Sequence, residues 1–403
     1  MKVLHSSDWH LGAALYGHDR SADQRYMLNQ IAEIVGREKP DVLLVSGDIF
    51  DNGTPSASSQ AMLDEALMVM RRMGGDAMPI ILTSGNHDSP SRHVAFRAVY
   101  SEVGVHTIGS SMITSDRSVE ELYDRLVVPV PGKGLVVAVP YINPRNLPED
   151  FYTRLIEEVR KRNTDRLPVV LMAHLTVSHS RFQGHENSDE RVVGGIESVD
   201  IDTLGAGYDY LALGHIHCPQ QWKRSPAIVR YSGTPCAVSF DEDYRHSVTI
   251  ADIPEAGNCS VREIELVPET PLVTIGGSCG MTEEELIAVL GDKDPETGVP
   301  AVPEGAYLRF NLRLPEGKIY PDTFTAAHLM EACDRHGYIF CYLNPIRQTR
   351  ETADSGPRAM TVSDIRSISP VGLAKEFAEK KGAEWTDELE AMLLEAISRI
   401  DNQ

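Results

Sequence analysis

Five short apolar runs in this 403-residue chain each end at a turn carrying a carboxylate, an amide or an imidazole. The turns are Asp8-Trp9-His10, Gly47-Asp48-Ile49-Phe50-Asp51, Gly85-Asn86-His87-Asp88, Ala173-His174 and Gly214-His215-Ile216-His217. The runs before them, such as Val42–Ser46, Pro79–Ser84, Pro168–Ala173 and Tyr210–Gly214, are continuously apolar rather than alternating. That pattern belongs to strands covered on both faces. In open α/β sheets, functional groups gather beyond the carboxyl ends of the strands. The five turns are therefore predicted to converge, although the first and last lie far apart in sequence.

A further strand is predicted at Val136–Tyr141, and helices at Ala61–Met73 and Phe151–Lys161, so residues 1–262 read as an α/β domain. Residues 265–347 read as a smaller α+β module of β-α-β-α-β order. Its first helix opens with a capping box, Thr282 and Glu285. Its middle strand alternates Leu308, Phe310 and Leu312 with Tyr307, Arg309, Asn311 and Arg313. Gln348–Arg358 reads as a linker. Residues 359–403 then hold two helices, Ser369–Lys381 and Thr386–Ile400. A pair of roughly 35 residues cannot build a core alone. Its stripe of Leu389, Met392, Leu393, Ala396, Ile397 and Ile400 must dock on its own protein or on a partner.

The net charge of −21 favours solubility and weak attraction to polyanions. A nucleic-acid binder usually carries a basic footprint. DNA would need a local basic groove, for which Arg309 and Arg313 are candidates, or a basic partner. Six cysteines without CxxC spacing indicate neither a zinc knuckle nor a redox pair. No GxxxxGK[ST] pattern occurs, which argues against P-loop ATP binding. No signal peptide and no apolar run near the length of a membrane span is seen, so the expected location is the cytoplasm, with no membrane partner.

Seven side chains form the candidate metal set: Asp8, His10, Asp48, Asn86, His174, His215 and His217. Two six-coordinate ions offer about twelve positions, and these groups fill about eight if Asp48 bridges; the remainder suits a catalytic rather than a structural centre. Mixed nitrogen and oxygen donors without thiolate suit manganese, iron or zinc. Two such ions generate hydroxide at neutral pH and clamp the charge that builds on phosphorus. His87 follows a ligand and can face the leaving group as a general acid. Asp88 is expected to hold its imidazole. Singly, an Asp-x-His or a Gly-Asn-His-Asp is commonly a solvated turn. Five such elements in order, each after an apolar strand, are not.

These motifs resemble the calcineurin-like metallophosphoesterase superfamily. Leu4–Gly12, Ser46–Asp51, Leu211–His217, Arg230–Pro235 and Ser239-Phe240-Asp241-Glu242 resemble, more closely, its bacterial SbcD-type DNA repair exonucleases. The likeness is strong over residues 1 to about 250 and architectural beyond. It implies a metallophosphoesterase β-sandwich flanked by helices, a small capping domain and a C-terminal helical tail. It further implies that Asp8, His10, Asp48 and His217 hold one ion, and that Asp48, Asn86, His174 and His215 hold the other. His87 matches the catalytic histidine. The implied cofactor is two divalent ions, preferably Mn²⁺. The implied activity is a DNA nuclease, exonucleolytic on duplex ends and endonucleolytic on single strands and hairpins. Its implied partner is an SbcC-type ABC ATPase with a coiled coil, gripped by the tail, in a heterotetramer containing a homodimer of this chain on the nucleoid. Archaeal and eukaryotic members carry His where this chain has Asp51, so no role transfers there.

Three alternatives stay open, the last resort being a non-catalytic structural protein with a single metal. One is a small-molecule phosphodiesterase or phosphatase on the same scaffold. Phosphoprotein phosphatases of this superfamily place Arg shortly after the bridging Asp and Glu after the His, whereas this chain has Asn52-Gly53 and Asp88. Another is a platform that holds DNA ends for an ATPase.

Overall fold

Two six-stranded sheets face one another across the largest apolar core. The computed structural model of the protein describes residues 1–113, 118–143, 146–147, 150–182, 198–292, 300–316, 318 and 321–347. The linker expected at 348–358 and the helices and docking stripe expected within 359–403 lie outside the described residues. The first sheet runs, in spatial order, Asn258–Glu265, Ser247–Glu255, Lys2–Ser6, Val42–Ser46, Ile80–Thr83 and Val105–Ile108. The second runs Gln220–Arg224, Ala227–Tyr231, Tyr210–Gly214, Val169–His174, Gly134–Ala138 and Val127–Val130. Each has four parallel strands that end on the same side, with antiparallel strands at the margins.

The unbroken apolar runs follow from this sandwich. In Val42–Ser46, Val42 and Leu44 enter the core between the sheets, where they join Leu171 and Leu211. Leu43 and Val45 point the other way, into a second core with Leu28 and Ile31 of helix Ser21–Glu38 and Leu63 and Leu67 of helix Ala57–Gly74. Both faces of the strand are buried, so a polar residue at any of positions 42–45 would forfeit about 1.5–3 kcal/mol per large apolar side chain lost. The helix expected from Ala61 starts four residues earlier, at Ala57, because Ser56 caps it by accepting a hydrogen bond from Ser59 N. The strand expected over Val136–Tyr141 ends at Ala138; the chain then crosses to the other sheet, where Tyr141 N donates to Ser84 O at 2.8 Å.

A third sheet of three parallel strands, Leu272–Ile275, Tyr307–Arg313 and Ile339–Ile346, carries helices Glu283–Gly291 and Thr325–His336. The Thr282–Glu285 capping box forms as the spacing predicts. Leu308, Phe310 and Leu312 enter this module's own core with Leu286, Leu290 and Leu329. The opposite face does not look out to solvent. Tyr307 packs with Leu15 and Phe240 of the first half, and Arg309 pairs with Asp241. The strand Asn258–Glu265 carries the first sheet three residues past the expected end at 262, and Leu266 still packs in its helix-side core. Residues 1–347 form one compact unit, so the two modules are distinct cores rather than separate bodies. Among the described residues, no helix is long and apolar enough to cross a membrane.

Candidate metal centre

The five turns meet at the carboxyl edge of both sheets. Four of the residues there adopt a left-handed backbone although none is glycine: Asp8 (φ 53°), His10 (φ 46°), Asp48 (φ 48°) and His215 (φ 97°). Each such residue costs of order 1–3 kcal/mol and persists only where its surroundings fix it. Here the first two turns are laced together. Asp8 N donates to Gly47 O, His10 N to Asp48 O and Leu11 N to Ile49 O, each at 3.0 Å. His215 N donates to Asp8 Oδ1 at 2.9 Å, tying in the last turn.

The donors fall into two groups, Asp8–His10–His217 and Asp48–His174–His215, each with ligand atoms within 4.8 Å of one another. Asp48 Oδ2 lies 3.2 Å from His174 Nε2 and 3.9 Å from His10 Nε2, so one carboxylate reaches both groups. Asn86 Oδ1 joins the second group, 2.9 Å from both His174 Nε2 and His215 Nδ1. All seven candidate ligands are thus brought together.

Hydrogen bonds outside this cluster decide which atoms face inward. His174 Nδ1 donates to Ser46 O at 2.8 Å, and His217 Nδ1 to Glu242 Oε1 at 2.7 Å. Each bond fixes the tautomer and leaves Nε2 to coordinate, the usual arrangement behind a metal-bound histidine. His217 Nε2 and His10 Nε2 face each other at 3.0 Å. Asp8 Oδ2 is fully buried without a hydrogen-bond partner. Burial pushes the Asp8 carboxyl up to about 7. Burial opposes charge on His174 as well, but Asp48 and then Asp8 overcome it and raise the imidazole to about 9. Burial and the neighbouring His217 lower His10 to about 4. Lone pairs that crowd inward, an orphaned carboxylate oxygen and carboxylates sharing one buried space are what divalent cations relieve. The donor set fits two of them.

Gly47 shows how little slack exists. It has φ +84°, and an added Cβ would sit 2.1 Å from His174 Nδ1. Gly47→Ala is expected to destabilise the fold by about 1–3 kcal/mol and to weaken metal binding by shifting His174. Thermal melts with and without manganese check this; an unchanged melt and unchanged binding would contradict it.

His87 stands beside the first group, its ring centroid 5.0 Å from that of His10. Its backbone N donates to Asp48 Oδ1 at 2.9 Å, and Nδ1 donates to Asp51 O at 2.8 Å. Nε2 is therefore the nitrogen placed to exchange a proton. The expectation that Asp88 holds this imidazole is corrected. Its two oxygens accept from Ile49 N, Phe50 N and Gly85 N at 3.1, 3.0 and 2.8 Å, so it pins the backbones of two ligand turns. The carbonyl of Asp51 orients the ring instead. Glu242, quoted in the sequence only within the quartet Ser239-Phe240-Asp241-Glu242 and given no role there, is the carboxylate behind His217. Beside Asn86 a cleft of about 580 Å³ opens, lined by Tyr141, Asn143, Phe151 and Arg154 among others.

Residues 1–219 match the calcineurin-like phosphoesterase family. The chain belongs to the calcineurin-like metallophosphoesterases, hydrolases of phosphate esters that work with divalent metal ions. Among characterised proteins, the SbcD subunit of the nuclease SbcCD from Bacillus subtilis is 32% identical over 302 residues, covering 70% of this chain and 74% of that protein. Its namesake from Rhodobacter capsulatus is 32% identical over 341 residues, covering 78% and 80%. That of Staphylococcus epidermidis is 28% identical over 247 residues, covering 60% and 63%.

Proposed function

We propose that this chain is the nuclease subunit of an SbcCD-type complex, a manganese-dependent DNA phosphodiesterase. In this reading it is exonucleolytic on duplex ends and endonucleolytic on single strands and hairpins. The observation that carries it is Asp48, one carboxylate within reach of two complete ligand groups. The relatives' names supply the substrate class and the partner. Asp8, His10, Asp48 and His217 hold one ion; Asp48, Asn86, His174 and His215 hold the other. When bound, the pair supplies a hydroxide at neutral pH and offsets the charge on the phosphate. His87 delivers a proton from Nε2 to the departing oxygen, with Asp51 O holding the opposite nitrogen. The cleft beside Asn86 admits the substrate. Residues 1–262 are the catalytic domain and 265–347 the cap. Residues 359–403 grip the coiled coil of an SbcC-type ABC ATPase, in a heterotetramer that includes a homodimer of this chain in the cytoplasm, on the nucleoid.

Arg309 is spent on Asp241, Phe240 O and Thr274, and Arg313 pairs with Glu285. Arg309 is thereby engaged inside the protein, while Arg313 stays at the surface; in this reading Arg313 and basic surfaces of the ATPase partner contact the phosphates, as the net charge of −21 requires of an acidic chain.

The deciding experiment is digestion of duplex, hairpin and single-stranded DNA with manganese, with and without an SbcC-type ATPase. Cleavage of a small chromogenic diester with every DNA left intact, partner present, would return the protein to the small-molecule phosphodiesterases. His87→Leu is expected to lower the rate about 10²- to 10⁴-fold while manganese content stays at the wild-type value. An unchanged rate would leave the platform role as the better account.

A further inference from the structure

Asp241 and Glu242 are sequence neighbours bound to different parts of the molecule. Glu242 is buried, with Oε1 on His217 Nδ1 and Oε2 accepting from Val238 N at 3.1 Å. Asp241 pairs with Arg309 of the third sheet. The same guanidinium donates to Phe240 O at 3.3 Å and to Thr274 Oγ1 at 3.0 Å, and lies 5.3 Å from the Phe240 ring centroid. Residues 238–242 thus make a strap that is fastened through Glu242 to an imidazole of the metal centre and through Phe240 and Asp241 to the cap. A cavity of about 720 Å³ lies against the strap, lined in part by Phe240, Glu242 and Arg309, so the strap has space into which to shift.

The cap also touches the segment that leaves the Asp8–His10 turn. That segment forms the small hairpin Ala14–Leu15/His18–Asp19. His18 Nε2 bonds Phe340 O at 2.9 Å, and the Tyr16 ring stacks on Tyr342 with centroids 5.2 Å apart. Strap and hairpin flank the same ligand group, Asp8–His10–His217.

We propose that Glu242 is a positioning residue for His217, and that the strap couples the placement of the cap to the Asp8–His10–His217 group. A displacement of the cap then loosens that ion site before the Asp48–His174–His215 site. The inference rests on the two-ion reading above. The carboxylate keeps the proton on Nδ1 and raises the basicity of Nε2; loss of such a partner typically weakens metal binding about 10- to 100-fold. Arg309 acts one step further away, through Asp241, and its effect is smaller.

The test is manganese titration of the full chain by calorimetry and by electron paramagnetic resonance, reading the number of ions and the affinity of each. Wild type is expected to bind two. Glu242→Ala is expected to weaken one ion about 10- to 100-fold. Glu242→Gln, which still offers an oxygen to Nδ1, should recover part of that loss. Arg309→Met should weaken the same ion several-fold, and Arg309→Lys, which keeps a cation facing Asp241, much less. Two ions with wild-type affinities in both Glu242→Ala and Arg309→Met would overturn the proposal. So would equal weakening of both ions in Arg309→Met, which marks general loosening rather than coupling. A wild-type chain that binds fewer than two ions would instead overturn the two-ion reading itself.

Discussion

Asp48→Asn is expected to reduce diester hydrolysis by about 10³-fold or more, since losing even one fixed electrostatic stabiliser costs about 10²–10³. Three consequences of the geometry combine. The carboxylate reaches His174 at 3.2 Å and His10 at 3.9 Å, so its charge serves both ligand groups. Burial opposes that charge, but His174, His10 and His87 hold the carboxyl well below the usual carboxylate range, so it is ionised at any working pH. Its Oδ1 also accepts from His87 N and so fixes the turn that carries the proposed proton donor. The amide keeps the shape and loses the charge. Steady-state rates on a chromogenic diester, with metal content measured on the same samples, check this. Manganese should fall below two per chain. Activity within tenfold of wild type would show that Asp48 does not join the two groups.

Metal removal should give the largest change in stability, and its pH dependence has a definite sign. A ligand at 100 times its dissociation constant stabilises by about 2.7 kcal/mol, so two ions contribute about 5 kcal/mol, or roughly 10 °C in melting temperature for a domain of this size. In the metal-free protein His174 is raised to about 9, and Asp8 to about 7. A group whose folded pKa is raised stabilises below its unfolded pKa, and that contribution is lost as pH rises through the folded value. The Asp8 contribution is largely gone by pH 7, so between pH 7 and 9 the metal-free protein should lose stability chiefly as the His174 proton leaves. Deprotonated ligands bind cations more tightly, so the loaded protein should not follow. The difference in melting temperature between manganese-loaded and chelator-treated samples is expected to widen from pH 7 to pH 9. A difference that stays flat or narrows over that interval would mean that these residues are not the ligands.

The strands and the convergence of the candidate donors at their ends were legible because one physical demand, burial of both faces, writes an unbroken apolar run and leaves the first polar residue at its end. Val42–Ser46 and Tyr210–Gly214 have the bounds the sequence predicts. Glu242 was not legible in the same way. It lies 25 residues beyond His217, in an irregular turn with no periodicity to mark its direction, and its partner is an imidazole on another element. The quartet Ser239-Phe240-Asp241-Glu242 was the available signal, but it carries no chemistry until the fold sets Glu242 behind His217. Arg309 shows a related limit. Alternation tells which residues share a face of a strand; it does not tell whether that face meets water or another module. For Asp88, adjacency to His87 suggested a partnership, yet three backbone N–H groups nearer in space claim both oxygens.

The lacing of the first two turns has a consequence for how the protein comes into being. Neither ligand group closes until parallel neighbours have found their register, and such long-range pairing is intrinsically slow. The last of the proposed ligands is His217, and the carboxylate bonded to it arrives only with Glu242. A chain emerging from the ribosome therefore carries no hydrolytic centre for more than half of its synthesis. Assembly of the proposed centre thus waits on the chain's topology until the sandwich has closed.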